Sequence, residues 1–275
     1  MDVGGRTTPG AVVEGRGEGR SCVRPSTVQI YDSPLPGPLP QGERGCYGWG
    51  AWALYIKLRM IEPQFIFPDW PAPKNVRAVV TTRHGGTSRA PYESFNLATH
   101  VGDDPAVVRE NRTRLRTAIV LPAEPLWLKQ IHGVSVVDAA QGGIEPDADG
   151  AFVAQAAVVC AVLTADCLPV LLCNRQGTKV AALHAGWRGL ADGVIEAGVK
   201  AMDVPGNDLQ AWLGPAIGAE KFEVGAEVRS CFVGPDAQAA SAFRATRDGK
   251  YLADIYQLAR LRFRNLGVTD RKSVV

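Results

Sequence analysis

The sequence predicts an α/β protein whose strands and helices pack in layers. Two observations lead there. Between Val158 and Gly189 lie three short apolar runs, Val158–Leu163, Leu168–Leu172 and Val180–Leu183, broken by Thr164-Ala165-Asp166 and by a turn at Asn174–Gly177. Such Val- and Leu-rich runs read as buried strands of one sheet. Helical stretches are interspersed with strands along the chain without a regular strand–helix–strand rhythm, which favours a layered α/β fold over a doubly wound one.

Taken in order, residues 1–59 do not read as a domain. They are rich in Gly, Pro, Arg and Ser, and the piece Ser33-Pro-Leu-Pro-Gly-Pro-Leu-Pro-Gln-Gly42 has no usable periodicity. Apolar surface of that kind does not offset the entropy of ordering it. The expectation is a disordered or spurious extension, with the domain starting at Met60. Val76 to Thr82 reads as a strand. It ends in Arg83-His84-Gly85-Gly86-Thr87-Ser88, a glycine turn able to bring backbone N–H groups to a ligand. Asp104 as cap and Pro105 at the first helical position start a helix with Val108, Leu115 and Ile119 on its apolar face.

Trp127 to Ile131 reads as a short strand ending in His132-Gly133, with Val134 to Val137 continuing it after a bend. Asp147, Asp149 and Gly150 form a polar loop before the central strands. Beyond them, Leu190 to Met202 is expected as one helix, Ala211 to Leu213 as a strand, and Val224–Phe232 and Tyr251–Leu266 as two further helices. Leu266-Gly267-Val268 looks like a helix end leading into a strand that never arrives. Residues 269–275 are expected to be an artefactual or disordered tail.

Composition bounds the function. The chain has 275 residues, 46% hydrophobic, and no apolar run near membrane-spanning length, which predicts a soluble protein without membrane partners. No secretory leader pattern is visible, and the six cysteines lack paired spacing, so a reducing, cytoplasmic setting is expected. Residues 1–59 carry seven Lys/Arg against five Asp/Glu, leaving 23 of each in the rest of the chain. A neutral body without a basic run argues against nucleic acid as partner.

The reactive residues collect where strands end. Of only four histidines, His132 and His184 sit at predicted strand ends and are followed closely by Gly. With Cys167, between two polar turns, they make three ligands, enough for a catalytic zinc that keeps one position open. Asp166, beside Cys167, suits proton transfer or orientation of a metal-bound histidine. Arg188 lies in a Gly-Trp-Arg-Gly turn that opens a helix, an arrangement fit for an anion. Cys160 and Cys173, inside apolar runs, read as inert core thiols.

These motifs together resemble a known family. Lys129-Gln-Ile-His132-Gly, Thr164-Ala-Asp-Cys167-Leu-Pro, His184-Ala-Gly-Trp-Arg188-Gly and Trp212-Leu-Gly-Pro-Ala-Ile-Gly218 are similar to the laccase-domain family, also called YfiH-like or peptidoglycan editing factor proteins. Thr82-Arg83-His-Gly-Gly-Thr-Ser88 and Phe95-Asn96-Leu97 resemble its N-terminal motifs, so the likeness runs from about Met60 to Val268. The resemblance implies a single-domain layered α/β sandwich with a mixed central sheet. It implies one zinc on His132, Cys167 and His184, with copper as a substitute. It also implies phosphorolysis of adenosine, inosine and methylthioadenosine, together with adenosine deamination, by a monomer or weak homodimer. Asp166, Cys167 and Arg188 are then the expected catalytic residues, and Arg83, Asn96 and Arg188 the expected substrate contacts. A metal that acidifies water fits attack on C6 of adenine. The family's C-terminal Cys-Thr and F-F-S-x-R-R-D segments are absent here, which implies missing final strands.

Two other chemistries compete. Multicopper laccase chemistry calls for many more histidines than the four present, and of three methionines only Met202 lies in the motif-bearing region. A thiol or zinc hydrolase editing peptidoglycan precursors would use Cys167 as nucleophile and His184 or His132 as base.

Overall fold

The structure, a computed structural model, describes residues 26–32 and 63–273. Its elements follow the apolar pattern closely in the centre of the chain. Strands β1 (Ser26–Asp32), β2 (Phe65–Ile66), β3 (Val76–Thr81) and β6 (Val159–Thr164) form one antiparallel sheet, in the order β2-β3-β1-β6. A six-stranded mixed sheet runs β13-β9-β7-β8-β5-β4. It contains β4 (Val136–Asp138), β5 (Gly150–Val153), β7 (Leu168–Asn174), β8 (Val180–Ala185), β9 (Leu209–Leu213) and β13 (Thr269–Ser273). Its two outer pairs, β13 with β9 and β4 with β5, are parallel and the inner pairs antiparallel. A small third sheet joins β10 (Glu223–Val224), β12 (Tyr251–Ala253) and β11 (Phe243–Ala245).

The two large sheets stack face to face, and helices cover both outer faces. On β7, Leu171 and Cys173 point between the sheets, against Cys160 and Val162 of β6. Leu168, Val170 and Leu172 point the other way, toward α3 (Val194–Met202), α4 (Ala226–Val233) and α5 (Ile255–Asn265). On β6 the alternate residues Val159, Ala161 and Leu163 pack with Leu115 of α1 (Pro105–Ala118) and with Phe95 and Leu97. Side chains alternate faces along a strand, so a strand buried on both faces reads as an unbroken apolar run. Every residue of β6, β7 and β8 is buried accordingly. The expected α/β sandwich with a mixed central sheet is the observed fold.

Several boundaries differ for identifiable reasons. Trp127–Ile131 is not a strand: only isolated bridges at Leu126 and Lys129 occur. There the Gln130 side-chain amide replaces the ladder, donating to Leu163 O at 2.8 Å and accepting from Leu163 N at 2.7 Å. The expected helix Leu190–Met202 is two, α2 (Trp187–Asp192) and α3, because Gly193 takes φ 102° between them. Tyr251–Ala253 is strand rather than helix, and α5 begins after Asp254, whose carboxylate accepts from Gln257 N. Asp104 caps α1 as expected, accepting from Ala106 N.

Both ends of the fold are corrected too. Ser26–Asp32, inside the stretch expected to lie apart from the domain, pairs with β3 and β6, and its Thr-Val-Gln-Ile-Tyr alternation suits a strand. The other residues of 1–59 lie outside the described ones. The strand expected never to arrive after Val268 is β13, whose backbone pairs in parallel with β9. Residues 274 and 275 lie outside the described residues.

Candidate metal centre

The antiparallel register of β7 and β8 sets Pro169 opposite His184, so Cys167, just before β7, lies beside His184 near the end of β8. His132 reaches the same place from the turn after Gln130. The ligand atoms of His132, Cys167 and His184 lie within 4.8 Å of one another, the only such cluster of three among the described residues. The two imidazoles meet edge to face, centroids 4.8 Å apart. His184 is buried, Cys167 half-buried and His132 exposed, so the cluster opens to solvent on the His132 side.

One carboxylate organises it. Asp149, fully buried just ahead of β5, has Oδ1 2.8 Å from His184 Nδ1 and accepts from the His132 amide at 2.9 Å. Its Oδ2 accepts from the Gly133 amide at 2.6 Å and the Ile131 amide at 3.2 Å. Three consecutive amides are thus gripped, which holds His132 at φ 60°. With Nδ1 of His184 tied to Asp149, its Nε2 is left for a metal, the usual arrangement for a ligating histidine.

Charge follows geometry. Burial works against protonation of His184, yet its hydrogen bonds to Asp149 and Cys167 outweigh that and push its pKa up to about 9. His132 is lowered by burial and by the neighbouring His184. Burial alone would raise Asp149, but hydrogen bonds from His184, Gly133 and His132 hold it below the ordinary carboxylate range. A deprotonated, hydrogen-bonded carboxylate behind a histidine suits a bound cation.

Gly186 completes the cradle. A Cβ there would lie 3.0 Å from Cys167 Sγ and 3.1 Å from His132 Cδ2, in the space between the ligands. Two imidazoles and a thiol around such a space fit zinc, and also suit copper.

The other expected site residues fare differently. Asp166 is beside the cluster. Its carbonyl accepts from Ile217 N at 2.9 Å, and its Oδ1 is buried with no hydrogen-bond partner among the described residues. Burial raises its pKa, favouring the neutral acid. Arg188 is exposed at the start of α2, its guanidinium 4.6 Å from the Trp187 ring centre, and its positive charge is among the causes that lower the His132 pKa. Arg83 is fixed through its backbone carbonyl, which accepts from Ser94 N and Phe95 N.

Asn96 is engaged by its own loop. Only 3% exposed, it donates to Ala98 O and Asp103 Oδ2 and accepts from Ala98 N, so its polar atoms serve the chain rather than a substrate. The glycine turn is a correction. The Gly86 and Ser88 amides donate to Ser94, and the Thr87 amide to buried Asn111, instead of facing a ligand. A Cβ at Gly86 would run into the Ser94 carbonyl, so close approach of backbone explains that glycine.

Cys160 and Cys173 are the buried thiols expected of them. Burial pushes Cys173 up to about 12 and Cys160 higher still. Sequence reasoning missed Asp149 as the organiser, Gly186 as the space between ligands and Asn111 as the anchor of the 87–96 loop. The first two had only a visible hint each, an Asp in a polar loop before a strand and a Gly between two site motifs.

A family model described as multi-copper polyphenol oxidoreductase laccase matches residues 77–274. A purine nucleoside phosphorylase of Pseudomonas aeruginosa is 54% identical over 206 residues, 74% of this chain and 84% of that protein. The purine nucleoside phosphorylase YfiH of Escherichia coli K12 is 52% identical over 206 residues, with the same coverage of 74% and 84%. A crystal structure of a Neisseria meningitidis protein, assigned there to the family DUF152, superposes with a TM-score of 0.74. It is 50% identical and covers 77% of this chain and 87% of its own.

Proposed function

This chain belongs to the multi-copper polyphenol oxidoreductase laccase family, and we propose that it is a zinc-dependent purine nucleoside phosphorylase. The observation that carries the reading is the convergence of His132, Cys167 and His184 around Gly186, with an open side toward solvent. Relatives more than half identical bear the phosphorylase name, which supports it. The substrates proposed are adenosine, inosine and methylthioadenosine, with phosphate as the second substrate.

In phosphorolysis the bond from ribose C1′ to N9 of the base breaks, a phosphate oxygen bonds C1′, and the departing base takes up a proton. Arg188 is the residue for the phosphate: its planar guanidinium is exposed, held over Trp187 and close enough for its charge to act on His132. Asp166, whose buried Oδ1 has no partner among the described residues, is the group to hold or deliver a proton beside Cys167. Asp149 holds His132 and His184 in place. Zinc on the trio supplies a Lewis acid and acidifies water, so adenosine deamination is proposed as a second activity of the same site. Among the described residues no helix is long and apolar enough to cross a membrane.

The deciding experiment incubates metal-quantified protein with adenosine, with and without phosphate, and separates adenine from inosine. Adenine that appears only with phosphate supports phosphorolysis, and inosine in either case supports deamination. Neither product from zinc-loaded protein sinks both. Cys167→Ala and His184→Ala are expected to lose zinc and turnover together. Zinc loss with normal turnover would mean that the site is not catalytic.

A further inference from the structure

The turn that carries His132 exposes apolar surface where polar residues would be expected. Among the described residues the large exposed hydrophobic side chains are Phe67, Val120, Ile131, Val134 and Ile144, and two of these five flank His132 within four residues. Ile131 is 53% exposed and Val134 38%.

Hydrogen bonding fixes the backbone around His132. The amides of Ile131, His132 and Gly133 all donate to the buried Asp149 carboxylate, so the donor side of the backbone faces the interior. Any register that buried Ile131 would break that grip and displace His132. The exposed Ile131 side chain follows the turn. Its Cδ1 and Cγ1 lie 3.6 Å from where a Gly133 Cβ would stand, so they run along the turn beside the ligand. Glycine at 133 leaves that strip uncovered.

We infer that Ile131 and Val134 form an apolar platform for the flat face of the purine base, beside the open side of the His132, Cys167 and His184 trio. The inference rests on the nucleoside reading above and assigns the base a place within that site. Small-molecule sites pair apolar walls with a few convergent polar groups. Purines have apolar faces and polar edges; with Arg188 given to the phosphate, Asp166 is the polar group left for an edge, and the faces fall to Ile131 and Val134. Neither residue is needed by the core, as their exposure shows.

The test is steady-state kinetics of Ile131→Ser and of Ile131→Ser/Val134→Ser, with adenosine and phosphate varied separately and zinc content measured. Expected is a rise of about tenfold in the KM for adenosine, as for lost apolar contact in a substrate pocket, with the KM for phosphate and the zinc content unchanged. An unchanged adenosine KM at full zinc content overturns the platform. Should Ile131→Ser lose zinc, Val134→Ser decides at full zinc content: a raised adenosine KM supports the platform and an unchanged one overturns it. If the wild-type protein turns over no nucleoside, equilibrium binding of adenosine separates the two ideas. Binding that Ile131→Ser weakens about tenfold keeps the platform while the phosphorylase reading falls, and no binding to the wild type overturns both.

Discussion

Asp149 Oδ1 lies 2.8 Å from His184 Nδ1 and 2.9 Å from the His132 amide nitrogen, so one buried carboxylate sets both histidines of the candidate metal centre. The pairing is supported by backbone as well, since His184 N donates to Asp149 O at 2.7 Å. Loss of the carboxylate is therefore expected to be felt at the metal rather than only in stability.

Asp149→Asn keeps the volume but replaces one acceptor oxygen by a donor that faces backbone N–H groups. Zinc affinity should fall by about 10- to 100-fold, the usual effect of losing the partner behind a ligating histidine. Competition with a chromophoric chelator measures it. Wild-type affinity in a folded Asp149→Asn variant would show that Asp149 only braces the turn.

Gly186 predicts a separation of fold from metal. Its φ of −62° is open to any residue, so Gly186→Ala carries no backbone strain. The added methyl comes within 3.0 Å of Cys167 Sγ and 3.1 Å of His132 Cδ2, tighter than ordinary contact. Circular dichroism and melting should match wild type while zinc stoichiometry and turnover drop. Full zinc retention would mean that the ligands close around a different point.

Arg188→Lys keeps the charge but loses the planar fork and its stacking on Trp187. The KM for phosphate is expected to rise about tenfold in Arg188→Lys and further in Arg188→Ala, with the KM for nucleoside little changed. Equal effects on both constants would place Arg188 outside the phosphate subsite.

Tyr256 ties the loop after β9 to α5. Its hydroxyl donates to Gly214 O at 3.0 Å and accepts from Ala216 N at 2.8 Å. Tyr256→Phe leaves both groups without these partners and should cost about 1–2 kcal/mol, lowering the melting temperature by a few degrees. Burial raises the hydroxyl pKa above its ordinary 10.0, against the opposing hydrogen bond from Ala216. A raised value means that the folded state holds this proton more tightly. The contribution is present below pH 10 and lost as pH rises through the folded value. Wild-type protein should thus show an alkaline loss of stability that Tyr256→Phe lacks; identical alkaline profiles would count against it.

Much of this molecule was legible in one dimension. The runs at 158–163, 168–172 and 180–183 became β6, β7 and β8 because strands buried on both faces must be apolar throughout. His132, Cys167 and His184 were singled out because polar residues can interrupt such runs only where strands end. They are the three whose ligand atoms converge. Cap chemistry at Asp104 was equally readable, because a cap acts within two residues.

What escaped was whatever depends on register between distant segments. Asp149 and His184 are 35 residues apart, and only the antiparallel pairing of β5 with β8 makes them neighbours. The Asn96 side-chain amide is bonded to Ala98 and Asp103 only once the loop closes around it. Gln130 ended a predicted strand by taking the ladder's hydrogen bonds into its own side chain. Ile131 looked like a strand residue and emerged exposed because three amides nearby answer to Asp149. The sequence by itself determined the buried strands and the identity of the metal-ligand candidates, since burial and residue chemistry are local properties. The tertiary structure decided which carboxylate orients them and which glycine lies between them, since those follow from long-range pairing and packing that no local pattern encodes.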